Sequence, residues 1–263
     1  MSDAPRVNAP TAAEIEKRFR HPLVIAARPV IWGGVGVLCF VRRFKWTARG
    51  AERLYRYDSP LIFAANHCSH ADTAAILGTL PRHLRKRTAV AAALDVFGPA
   101  RYVPKKTLKW LRREMLQFIV ASGFRAFAFD RLGAPHRSLR TAADLLTGGW
   151  SLILYPEGTR SRTGEMARFK PGVGLLARRT GRPVVPIHVF GGTTILPCGR
   201  FLPGPGHASV RYGRPLMWEK GETAEAFTTR IEEAVRRLAV TNEQAALSPP
   251  VGRIASMLAH LKG

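Results

Sequence analysis

Acidic residues are scarce in this chain of 263 residues: 18 Asp and Glu stand against 41 Lys and Arg, a formal charge of +23. That imbalance departs from the charge balance of an ordinary soluble enzyme and calls for a polyanionic neighbour, either nucleic acid or an anionic membrane. Cysteine is rarer still. Cys39, Cys68 and Cys198 are too few and too scattered for a disulfide framework or a zinc cluster, which fits a reducing compartment. No cleaved secretory signal is expected before residue 22 either, because Lys17, Arg18 and Arg20 lead into an apolar run with no clear small-residue cleavage site. The sequence has no internal repeat or low-complexity tract. With no helix-turn-helix, zinc-finger or aromatic stacking signature, nucleic acid is the weaker partner. A membrane is favoured if apolar surface accompanies the basic residues.

Such surface is present. Residues 1–12 read as a disordered start. Leu23 to Val41 is apolar apart from Arg28, long enough for a helix of about 28 Å. Pro29 with Gly33, Gly34 and Gly36 favours a bend, so the segment is expected to lie in or dip into one leaflet. A single span and a helix packed on the protein's own core are the competing readings. Arg28 near one end could snorkel to headgroups, and basic residues flank both ends, Lys17, Arg18 and Arg20 before and Arg42, Arg43 and Lys45 after.

Past Trp46, short apolar runs alternate with amphipathic stretches, predicting an α/β domain with a mixed central sheet flanked by helices. Strands are expected over 61–65, 89–93, 126–129, 152–155, 184–190 and 208–212. Helices are expected over 73–80, 108–122, 137–147, 174–180 and 224–242, with a last short one over 251–261. The implied organisation is a tail and membrane-associated segment over 1–45, the α/β domain over 46–220, and C-terminal helices over 221–263. In and just before 108–122, Leu108, Leu111, Met115, Phe118 and Ile119 share one side while Lys105, Lys106, Lys109, Arg112 and Arg113 load the other. That pattern predicts an apolar face on the sheet and a basic face toward solvent or phospholipid headgroups.

Chemistry concentrates at Asn66-His67-Cys68-Ser69-His70-Ala71-Asp72, directly after the expected strand 61–65. Ser69 and Asp72 form a helix-capping signature that puts Asp72 in a first helical turn and His67 just outside it. Asp72 can then bend back to one imidazole nitrogen while the other faces a substrate hydroxyl, the His-Asp half of an oriented general base. A loop histidine beside a capping aspartate would give the same letters. A metal site from His67, His70 and Asp72 lacks a fourth ligand, and Cys68 cannot readily aim at its neighbour His67.

The Asn-His-x-Ser-x-x-Asp segment resembles the first motif of the 1-acylglycerol-3-phosphate O-acyltransferase family, the glycerolipid acyltransferases, and further stretches follow in the family's order. Phe127-Ala128-Phe129-Asp130-Arg131 is similar to its second block, with Arg125 where glycine is usual and Ala128 where a bulky residue is usual. Tyr155-Pro156-Glu157-Gly158-Thr159-Arg160-Ser161 matches its third block with only Tyr for Phe changed. Phe169-Lys170-Pro171-Gly172 and Val184-Val185-Pro186-Ile187 resemble two more. The resemblance covers roughly Trp46 to Met217.

By this resemblance, His67 and Asp72 are catalytic. Arg131, Glu157, Gly158, Thr159, Arg160 and Lys170 bind the acceptor, and Val184–Ile187 either lines the acyl or acceptor pocket or is a plain core strand. The implied reaction moves an acyl group from acyl-CoA or acyl carrier protein, with no metal or other cofactor, to the free hydroxyl of 1-acylglycerol-3-phosphate, giving phosphatidic acid. The implied place is the cytoplasmic face of the cell membrane. The same chemistry on another lysolipid, such as a lyso-ornithine lipid, is the close alternative, motivated by the atypical second block. A non-enzymatic binder of nucleic acid or another anionic surface is the distant one.

Overall fold

The computed structural model describes residues 10–93, 107–130, 134–161, 164–197, 200 and 202–247. Arg131, Cys198 and the helix expected over 251–261 lie outside them. Among the described residues, strands β1 (Phe44–Arg49), β2 (Ile62–Ala65), β3 (Thr88–Ala93), β4 (Ala126–Phe129), β5 (Ser151–Leu154), β6 (Val184–Phe190) and β7 (Gly206–Tyr212) form one sheet. Their spatial order is β1-β7-β6-β2-β5-β3-β4. Neighbours run parallel except β6 and β7, which pair antiparallel through Ile187 with Tyr212 and Val189 with Val210. The sheet is therefore mixed, as the sequence predicts.

β2 shows why the centre forms. Leu61 and the strand residues Ile62, Phe63, Ala64 and Ala65 are all fully buried, and alternate side chains enter opposite faces. Ile62 and Ala64 join one core, while Leu61, Phe63 and Ala65 join the other. The helices are α1 (Ala12–Phe19), α2 (Pro22–Val41), α3 (Ala71–Thr79), α4 (Arg82–Lys86), α5 (Leu108–Gly123), α6 (Pro135–Thr147), α7 (Gly172–Thr180), α8 (Gly192–Ile195) and α9 (Ala224–Leu247). α1, α6, α7 and α9 cover the first core, and α3 and α4 cover the second.

α1, β1 and the short helices α4 and α8 have no counterpart among the sequence-based expectations. α1 begins inside the region read as a disordered start, at a capping box in which Thr11 Oγ1 accepts the Glu14 N–H and Glu14 Oε2 accepts the Thr11 N–H at 2.8 Å. The helix then sends Ile15 and Phe19 into the first core, Phe19 5.1 Å from the Trp150 ring. β1 carries Lys45 and Arg49 and so does not read as an apolar run. It is an edge strand, formed because β7 offers it a parallel partner from Phe44 through Arg49. The expected boundary between residues 45 and 46 falls within it.

Two packing expectations are corrected. Arg28 does not snorkel: its Nε donates to Ser122 O at 3.0 Å and a terminal nitrogen donates to Phe19 O at 3.2 Å. A cation there meets helix-end carbonyls that would otherwise lack partners. Trp32 Nε1 likewise donates to Gly123 O at 3.1 Å, so one side of α2 is docked on the end of α5. The other side stays open, with Val30, Val37, Phe40 and Val41 all more than 60% exposed. The second correction concerns α5, whose apolar row does not lie on the sheet. Leu111, Met115 and Phe118 are exposed, while Val120 near its end, with Phe124 beyond, packs against the core.

Candidate active site

β2 and β5 are parallel neighbours, with Ala64 beside Leu154, so the segments that follow them emerge side by side at one edge of the sheet. Asn66 fixes the start of the first segment. Its side chain continues the pairing of β2 with β6, Nδ2 donating to Val189 O at 3.1 Å and Oδ1 accepting the Val189 N–H at 2.7 Å. The next residue, His67, is gripped through its backbone by the segment after β5. Its N–H donates to Glu157 Oε1 at 2.7 Å and its carbonyl accepts the Ser161 N–H at 2.8 Å.

The chain then turns into α3. Asp72, 1% exposed, directs Oδ2 at three donors: His67 Nδ1 at 3.1 Å, the Cys68 N–H at 2.8 Å and the Ser69 N–H at 2.7 Å. Two backbone amides thus lock the carboxylate that orients the imidazole. A carboxylate only accepts, so the imidazole proton lies on Nδ1 when the ring is neutral, leaving Nε2 as its lone-pair nitrogen. Beneath the ring lies Tyr155, stacked with centroids 3.9 Å apart and planes 19° from parallel. The Tyr155 hydroxyl is tied to Thr73 Oγ1 of α3 at 2.6 Å. The Ser69 hydroxyl, expected as the cap of α3, accepts the Ala71 N–H at 3.1 Å and donates to Leu196 O at 2.7 Å, while His70 occupies the N-cap position itself.

Glu157 is directed into the protein. It is 3% exposed, with Oε1 on His67 N–H and Oε2 on the Ala167 N–H at 2.9 Å. Burial pushes its carboxyl above the ordinary carboxylate range, opposed by those two amides. Gly158 has φ +77°, the left-handed region that glycine favours, and the Lys170 side chain crosses it so closely that a Cβ there would sit 2.9 Å from Nζ. Lys170 is exposed, and its N–H donates to Pro156 O at 2.9 Å. Thr159 is exposed, its hydroxyl on Arg160 O at 3.2 Å. Arg160 donates from a terminal nitrogen to His70 Nε2 at 2.7 Å.

The remaining expected residues fall elsewhere. Asp130, at the end of β4, accepts the Ala134 N–H at 2.9 Å, and its own N–H donates to Ser138 Oγ, so it shapes the entry to α6. Val185 and Ile187 of β6 are fully buried in the second core. Arg125, which stands where the family resemblance has glycine, holds φ +50° and donates to Arg85 O at 3.1 Å. Burial pushes the Cys68 thiol up to about 11, the Asp72 and Glu157 charges adding to the rise, so it is a poor nucleophile. Among the described residues no three His, Cys, Asp or Glu side chains gather closely enough to hold a metal ion.

Sequence reasoning missed Gly192. It lies against Asp72 so closely that a Cβ there would be 2.1 Å from Oδ1. The only signal was the pair Gly191-Gly192 directly after a strand.

The family profile described as Acyltransferase matches residues 45–189. A chloroplastic 1-acyl-sn-glycerol-3-phosphate acyltransferase of Brassica napus is 27% identical over 73% of this chain and 50% of its own length. A 1-acyl-sn-glycerol-3-phosphate acyltransferase of Pseudomonas aeruginosa is 34% identical over 55% of this chain and 57% of its own. The chain spans about half the length of the curated relatives it matches. Among solved structures, the 1-acyl-sn-glycerophosphate (LPA) acyltransferase PlsC of Thermotoga maritima superposes with TM-score 0.63 at 24% identity, covering 89% of each chain, a likeness of fold.

Proposed function

We propose, for a chain that belongs to the acyltransferase family, that it transfers a fatty acyl group from an acyl thioester to the free hydroxyl of 1-acylglycerol-3-phosphate. The observation that carries this reading is the locked pair: His67 Nδ1 on an Asp72 oxygen that two backbone amides also hold. In the proposed step, His67 Nε2 takes the acceptor's hydroxyl proton as its oxygen attacks the thioester carbonyl. The tetrahedral intermediate collapses, the carbon–sulfur bond breaks, and the imidazolium returns the proton to the departing thiolate. Asp72 holds the ring and stabilises its cationic form.

Arg160 and Lys170, with Arg131, are assigned to the acceptor's phosphate, for which guanidinium and ammonium groups suit. Glu157 acts on the acceptor through His67, whose backbone it fixes. The donor is acyl-CoA or acyl carrier protein and the product is phosphatidic acid, feeding phospholipid synthesis. α2 is assigned to one leaflet of the cytoplasmic face of an anionic membrane. It alone among the described helices is long and apolar enough to cross, yet Arg28 and Trp32 dock one side of it on the protein.

His67→Ala is expected to keep the fold and lower turnover by at least ~10²-fold. Radiolabelled acyl transfer to lysophosphatidic acid measures this, and near-parental turnover in that variant would end the reading.

A further inference from the structure

We propose that His70 is a positioning residue that holds Arg160 ready for an anionic headgroup without cancelling its charge. The inference rests on the function proposed above and adds a determinant of acceptor selectivity, carried by a histidine that takes no part in the proton transfer.

The pair's geometry permits one reading of its protons. A guanidinium has N–H donors and no acceptor, so the 2.7 Å contact from Arg160 requires a lone pair on His70 Nε2. The His70 ring is therefore neutral and carries its proton on Nδ1. Burial and the adjacent Arg160 charge hold it in that state, pushing its pKa down to about 4. Its backbone is also well fixed. His70 is the N-cap residue of α3, between Ser69, whose N–H is on Asp72, and Ala71, whose N–H is on the Ser69 hydroxyl. The arginine is thus tied to the same short turn that locks the catalytic pair, three residues after His67.

The identity of the acceptor atom matters. An unrestrained arginine loses rotamer freedom when it closes on a ligand, and a group that pins it beforehand removes part of that loss. A carboxylate in the place of His70 would pin it equally well but would pair with its charge and compete with an incoming phosphate. A neutral imidazole supplies the orientation alone. The gain is largest for an acceptor with a terminal phosphate monoester, whose charge at neutral pH approaches −2, and smaller for a phosphodiester headgroup.

The test compares His70→Gln, His70→Ala and His70→Glu in the full-length protein, with initial rates against lysophosphatidic acid and against a lysophospholipid with a phosphodiester headgroup. Gln keeps a neutral acceptor, Ala removes it, and Glu replaces it with a charge. Ordering one long side chain is worth ~0.5–1.5 kcal/mol, so Ala should raise KM for lysophosphatidic acid by roughly 3- to 10-fold. Turnover at saturation should stay near parental, Gln should remain close to the parent, and Glu should exceed Ala. The preference for phosphomonoester over phosphodiester should fall in the order parent, Gln, Ala, Glu. A residue that only braces the loop would instead lower turnover or thermal midpoint without this ordering.

Parental KM in both Ala and Glu, Gln as poor as Ala, or a loss confined to kcat would each overturn the inference while the proposed function stands. A parent that transfers no acyl group to any lysophospholipid would remove the function and this inference together. If the Ala variant fails to fold, Gln against Glu, near in size and opposite in expectation, decides alone.

Discussion

Asp72 gives a lesson about single atoms. One of its oxygens serves the imidazole and two amides, and the other lies where a Cβ on Gly192 would come within 2.1 Å of it. Gly192→Ala must push the carboxylate away from His67 or shift α8. It is expected to lower kcat by roughly 10- to 10²-fold with little change in KM, since orientation of the base is what suffers. Steady-state kinetics at saturating acceptor checks this, and an unaffected kcat would show that the contact does not transmit to the ring. The His67 and Asp72 pairing was legible in the sequence because five positions and a capping pattern bring the two together locally. Glu157 and Gly192 were not, for the opposite reason. What Glu157 touches is decided by the parallel register of β2 beside β5, ninety residues apart in sequence at their closest bond. Nothing in Pro-Glu-Gly-Thr says whether its carboxylate faces a ligand or a neighbouring amide.

Elements built from apolar runs were easy to read, since strands buried on both faces admit few polar residues. β1 escaped because an edge strand with two basic residues looks like a linker until β7 lies beside it. α5 was read with the correct period and the wrong partner. Its apolar row was placed on the sheet, whereas in the fold the sheet takes the end of the helix and leaves Leu111, Met115 and Phe118 open. These residues and the outer side of α2 are the exposed apolar side chains to test against the membrane contact proposed above. Phe40 is 86% exposed and Phe118 47%, and burying such a ring in lipid is worth ~1.5–3 kcal/mol. Phe40→Asp and Phe118→Asp should each weaken partition to anionic vesicles by at least ~10-fold, read by flotation. Turnover on detergent-dispersed lysolipid should be retained. Parental flotation by both variants would remove this surface from the membrane contact.

Across the whole molecule, stability should depend on acidity through a buried histidine. His188 of β6 is 9% exposed and paired in register with Arg211 of β7. Burial first, and then the Arg211 charge, push its pKa down from 6.5 to about 4, partly offset by Asp72. The unfolded chain therefore takes up the proton first. Stability is fully present above about pH 6.5 and is lost as pH falls from there through about 4, a span worth roughly 3 kcal/mol. Thermal midpoints should fall across that window, and His188→Gln should flatten the fall. An unchanged slope in the variant would assign the acid sensitivity to other groups. The charge of +23 was visible from composition alone, but its opposing partners within the fold were not.

The way α1 and α2 join the body has a practical consequence. Ile15 and Phe19 complete the first core beside Trp150, and Arg28 and Trp32 satisfy carbonyls at the end of α5. The greasy leader is thus a wall of the domain, not a detachable tether. Trimming it to obtain a tractable soluble enzyme would strip cover from Trp150 and orphan two carbonyls at the end of α5, those of Ser122 and Gly123. The sensible route to a well-behaved preparation keeps every N-terminal residue and surrounds it with detergent or nanodisc lipid.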